Sequence, residues 1–135
     1  MRRFTATLTT FAALAVMSQA AAATSVEGAL DAYVEGLRIG DVSTLAEVFF
    51  ADGQFCRANL GEIRCSSFAE ALPSWVEKPD HRTRGRIVSK EVVGDAMARV
   101  TYELEFNGDS YIDYLLLYKK EGRWLVVAKT TFIKQ

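Results

Sequence analysis

The chain has one histidine, His81, two cysteines, Cys56 and Cys65, and two prolines among its 135 residues. A metal centre built from imidazole and thiolate needs several such ligands at close spacing, and nothing here offers that spacing. The histidine stands alone in the polar loop "EKPDHRT" (77–83), where an imidazole is ordinarily solvated. No metal and no cofactor is implied. Charge of one sign is scarce as well: 16 basic residues face 17 acidic ones. So even a balance does not attract phosphate backbones, which argues against a nucleic-acid partner. Long apolar runs are also missing. The stretch "FAALAVM" (11–17) falls far short of the roughly 20 residues a bilayer span needs, so no membrane anchor is expected.

What is present begins with a leader pattern. Arg2 and Arg3 precede that apolar stretch, and "SQAAAATS" (18–25) follows with small residues spaced as signal peptidase accepts them. Residues 1–23 are therefore expected to be a Sec-type export signal, with cleavage after Ala20 or Ala23, and the mature protein to be periplasmic or secreted. Without Arg2 and Arg3 the count becomes 14 basic against 17 acidic, a net charge of −3. Residues 24–135 are the right length for one domain.

Within it, Val26, Leu30, Tyr33, Val34 and Leu37 recur at helical spacing up to Gly40. Asp41 can cap a second, short helix through "VSTLAEVFF" (42–50). Two short strands, "GQFCRA" (53–58) and "EIRCSS" (62–67), flank a turn at Asn59–Gly61. Ser67 with Glu70 is a capping box that opens a third helix through "FAEALPSWV" (68–76). From Arg84 the pattern changes to alternating runs broken at Gly94-Asp95, Asn107-Gly108 and Glu121-Gly122, three hairpin signals that predict a four-strand antiparallel meander. The expected class is α+β: three N-terminal helices packed on the concave face of a strongly curved, mostly antiparallel sheet.

The ordered set "AYVEGLRIGDVSTLAEVFFADGQF" (32–55), "GRIVSKEVVGDAMARVTYE" (85–103) and "DYLLLYKKEGRWLVVAK" (113–129) resembles the nuclear transport factor 2-like superfamily, and most closely its putative lumazine-binding branch. The likeness covers nearly all of the chain after the leader and implies a cone-shaped fold. That fold hosts isomerases, dehydratases, cyclases and transport factors, so it does not fix a function.

Two-residue hairpin loops set cross-strand partners by arithmetic. One row then reads Ile87, Tyr102, Asp113, Thr130 on the concave face, and the next Ser89, Val100, Leu115, Ala128. The same counting pairs Cys56 with Cys65 across the first hairpin, and in an oxidising compartment predicts a disulfide. A carboxylate on an apolar face must find donors, and Tyr33, Tyr102 and Thr130 are the expected ones for Asp113. The candidate ligand-binding set is Tyr33, Phe49, Trp75, Tyr102, Asp113, Trp124 and Thr130. On the convex face Ile112, Tyr114, Leu116, Tyr118, Leu125, Val127 and Ile133 form an apolar patch suited to a homodimer.

The resemblance also bears on catalysis. Ketosteroid isomerases of the superfamily carry an oxyanion-hole tyrosine on the first helix, where this chain has Tyr33. Their general base lies on the first strand, where this chain has Arg57, and a guanidinium does not abstract a proton at neutral pH. The leading expectation is an exported, non-catalytic module that binds a small, partly aromatic molecule. The alternative is a dehydratase-, isomerase- or cyclase-like enzyme with Asp113 as acid/base and Tyr33 as hydrogen-bond donor. A third is a filled cone that works through its sheet surface.

Overall fold

The computed structural model describes residues 24–135; the expected leader, residues 1–23, lies outside them. Helix α1 (Val26–Ile39) is capped by Ser25, whose hydroxyl accepts from the Gly28 N–H, and ends at Gly40 in the left-handed conformation. Its apolar stripe buries Leu30, Tyr33 and Leu37. Helix α2 (Val42–Ala46) is shorter than expected, because strand β1 (Phe49–Asn59) already begins at Phe49. Strand β2 (Glu62–Ser67) returns, and helix α3 (Phe68–Trp75) opens with the Ser67 hydroxyl accepting from the Glu70 N–H. The meander follows as β3 (Arg84–Val93), β4 (Met97–Phe106), β5 (Asp109–Lys120) and β6 (Arg123–Ile133).

These strands make one six-stranded sheet in the order β2-β1-β6-β5-β4-β3, with β1 and β6 parallel and every other pair antiparallel. The α+β class with three helices and a curved sheet is as the sequence pattern predicts. Cys56 and Cys65 are cross-strand partners with α-carbons 4.1 Å apart, and they form the disulfide.

Register departs from the two-residue-loop arithmetic in two places. The β4–β5 hairpin follows it throughout, and its Asn107-Gly108 turn holds both central residues at positive φ. The β3–β4 loop has three residues, so Ser89 faces Thr101 and leaves the concave surface; an irregularity between Ile87 and Ser89 restores the expected pairs Arg84–Glu105 and Arg86–Glu103. With that shift Lys90 no longer lies opposite Arg99, the like-charge pair that counting across a two-residue loop would give. Glu91 now opposes and pairs with Arg99, while Lys90 pairs with Glu27 of α1.

The second departure matters more. In β6 the register shifts by one residue after Val126, the mark of a β-bulge at Val127. Every side chain beyond it changes face: Ala128, Thr130 and Phe132 turn to the convex side, and Lys129, Thr131 and Ile133 turn inward. The neighbouring strand accommodates the bulge through a glycine. A Cβ on Gly53 would lie 2.6 Å from the Val127 carbonyl oxygen and 2.7 Å from the Phe68 ring.

Candidate functional site

One row of residues crosses all six strands at the open end of the cone: Arg64, Arg57, Thr131, Asp113, Tyr102 and Ile87, in strand order. Asp113 is fully buried at its centre. A carboxylate there is stable only if its oxygens are matched, and three groups match them. Thr131 donates its hydroxyl to Oδ1 at 2.7 Å, Tyr33 donates to Oδ2 at 3.3 Å, and the Lys129 ammonium lies 3.5 Å from Oδ1. Thr130, expected in this role, faces solvent on the other side because of the Val127 bulge; Thr131 takes its place.

Lys129 is only 6% exposed. Its ammonium sits 4.4 Å from the ring centre of Trp75, 4.8 Å from that of Phe55 and 5.5 Å from that of Tyr33, a three-sided aromatic cage. Burial pushes this lysine below its ordinary range, and the Asp113 charge works in the opposite direction. Burial also raises the Tyr33 hydroxyl well above the usual tyrosine range, with the Asp113 charge adding to it. Tyr33 therefore stays a neutral donor at physiological pH.

Above this floor a cleft of about 630 Å³ opens between α3, the β1–β2 hairpin and the sheet. That volume falls within the roughly 300–1,000 Å³ of small-molecule sites. Its floor is Tyr33, Lys129 and Thr131; its walls include Phe55, Trp75, Phe106 and Tyr111; Arg57 and Arg64 stand at the rim. Helix α3 delivers Trp75 because Ser67 fixes where the helix starts and Phe68, Ala71 and Leu72 bury its inner face.

Of the residues expected to bind a ligand, Tyr33 and Trp75 line this cleft. Asp113 lies directly behind Thr131 and Lys129. Phe49 is one layer deeper, packed edge-on against Tyr33 and Trp75 with ring centres 5.0 and 5.3 Å away. Tyr102 pairs with Asp113 in register, but its ring lies across Gly85, where an added Cβ would meet the hydroxyl at 1.9 Å. It is therefore no donor to Asp113. Trp124 is buried at the far end of β6, with Lys119 over its ring. Phe55, Arg57, Arg64, Phe106, Tyr111, Lys129 and Thr131 also line the cleft and were not in the expected set. The sequence signal for two of them was the alternation of β1, which puts Phe55 and Arg57 on one face. No group of three or more His, Cys, Asp or Glu side chains suited to a metal occurs among the described residues.

The buried pair gives a direct test. Lys129→Met strands the Asp113 carboxylate without its cation and is expected to cost about 3–5 kcal/mol in urea unfolding. Adding Asp113→Asn removes the stranded charge and should restore part of that loss. Unchanged stability in Lys129→Met, or a double variant whose loss equals the sum of the single ones, would show that the two groups are not coupled.

Comparison with known proteins agrees with this geometry. The family model described as "Putative lumazine-binding" matches residues 21–131. None of the curated proteins compared with the chain matches it. Among solved structures, a nuclear transport factor 2-like protein of unknown function from Silicibacter pomeroyi superposes with a TM-score of 0.73 at 23% identity, over 87% of this chain and 100% of that one. A second, from Shewanella baltica, gives 0.72 at 19% identity, over 79% and 89%. A cystatin-like fold protein from Burkholderia xenovorans gives 0.60 at 18% identity, over 84% and 92%. At such identities the structures speak for the fold alone, and it is the family match over most of the chain that carries membership. This chain belongs to the putative lumazine-binding family, and its fold is that of the nuclear transport factor 2-like structures it resembles.

Proposed function

We propose that the protein is an exported, non-catalytic module that binds a small, partly aromatic molecule in the cleft of its cone. The observation that carries this reading is the division between an open, aromatic-walled cleft and a carboxylate sealed beneath it. A general acid or base has to reach the reacting atom. The Asp113 oxygens are instead engaged by Thr131, Tyr33 and Lys129, behind the cleft's surface. Arg57 stands where the resemblance places the isomerase base, and a guanidinium is no general base. These features favour a binder over an enzyme built on Asp113 and Tyr33. The disulfide fits export into an oxidising compartment. The family's description suits a small-molecule ligand, although no residue of the cleft singles out a pteridine ring.

Native mass spectrometry of the protein purified from its own host tests the reading. The expected spectrum contains a complex heavier than the chain by a small-molecule mass, lost on denaturation. Only the unliganded mass would count against it.

The module is further proposed to be a homodimer through its convex face. Tyr114, Leu116, Tyr118 and Phe132 are each more than half exposed there. Ile112, Leu125 and Ala128 lie in the same rows. The bulge withdraws Ile133 from the expected patch into the cleft and brings Phe132 out in its place. An apolar face on the outside of a sheet whose other face is already covered suits a second copy, since a two-fold axis lets one patch meet itself. Light scattering should give twice the chain mass for the wild type and the single mass for Leu116→Glu, with its circular dichroism retained. A monomeric wild type at micromolar concentration would contradict the dimer.

A further inference from the structure

Arg57 and Arg64 are direct cross-strand partners on the cleft side of the β1–β2 hairpin. Like charges placed opposite each other destabilise a strand pair. Only one of the two is compensated: Arg64 reaches Glu62 at 3.1 Å, whereas no carboxylate pairs with Arg57 among the described residues. Glu70, in the first turn of α3, is the one carboxylate in the cleft's lining, and it is exposed. Deeper down, Lys129 has a single anionic partner, the Asp113 oxygen at 3.5 Å, and otherwise faces aromatic rings. Lys129 lines the floor of the cleft, so its positive charge lies beneath the two arginines. Three cations thus converge on one space, and the two on the floor and rim lie in adjacent strands: Phe55 pairs with Lys129, and Arg57 with Thr131.

The walls add a second requirement. Trp75, Phe106 and Tyr111 are half-buried and line the cleft, so apolar ring surface is left for a ligand to cover. A guanidinium stacks on flat π-systems and grips a carboxylate with two parallel N–H donors, which an ammonium cannot do.

We propose that the cleft selects a small planar aromatic acid, with its carboxylate held by Arg57 and Arg64 and its ring against Trp75 and Phe106. The inference rests on the ligand-binding reading above and narrows it to one charge type and one shape. It also gives Arg57 a positive role: the residue that removes the isomerase base supplies an anchor for an anion.

Isothermal titration with a matched probe series separates the two claims. The probes are 2-naphthoate, its neutral amide 2-naphthamide, and decanoate as an aliphatic acid of similar size. The wild type should bind 2-naphthoate about tenfold or more tightly than the amide, the range expected for a charge-assisted hydrogen bond, and more tightly than decanoate, whose chain cannot stack on the cleft's rings. Arg57 occupies an exposed strand position, so Arg57→Met should fold, which its circular dichroism checks. It should abolish the preference for naphthoate over the amide, with a larger loss for the acid than for the amide. If the amide binds as tightly as the acid, or Arg57→Met keeps the preference, the anion claim falls and the ligand cleft stands. Equal binding of decanoate overturns the aromatic claim alone. If none of the three binds, the inference and the reading beneath it both fall.

Discussion

The Lys129–Asp113 pair is the constraint around which the cone is arranged. Taking both charges out of water is costly, and their attraction offsets that cost only when the remaining donors and acceptors are matched. Thr131 and Tyr33 complete the carboxylate, while Trp75, Phe55 and Tyr33 receive the ammonium on their ring faces. Those partners come from α1, α3, β1, β5 and β6, so one buried pair ties the helices to the sheet. A purely apolar floor could be at least as stable. What the ionic floor adds is a contact between the ammonium and the rings of Trp75 and Phe55, two walls of the cleft above.

That floor depends on a single extra residue. Without the bulge at Val127, Lys129 would lie on the solvent side of β6, opposite Tyr114 on the convex face, and Thr130 would meet Asp113. A one-residue slip exchanges the two faces of a strand, so the bulge decides which of two different sites the same sequence builds. Gly53 is the structural counterpart in β1, since any side chain there would strike the Val127 carbonyl or Phe68.

Much of the fold was legible in the sequence because its signals are local. Capping residues mark the starts of α2 and α3, Gly40 marks the end of α1, and Asn107-Gly108 fixes both turn and register of β4–β5. Cys56 and Cys65 followed from counting across a turn that has the assumed length. The site was less legible because it depends on non-local geometry. A bulge leaves no period-2 signature, and a lysine in "VVAKTTF" (126–132) is reasonably placed in solvent, so Lys129 and Thr131 were missed together. Trp124 and Tyr102 sit on the concave face as expected, yet the far end of the cone and the space over Gly85 take them away from the cleft.

The two tryptophans give the central claim its most direct measurement, because Trp75 lines the cleft and Trp124 does not. Their indole N–H signals can be compared in 15N-labelled protein purified from its own host and in the same protein after unfolding, dialysis and refolding with the disulfide intact. If a ligand occupies the cleft, the Trp75 signal differs between the two samples and the Trp124 signal is the same in both. Superimposable spectra, or a change confined to Trp124, would contradict a ligand held beneath α3.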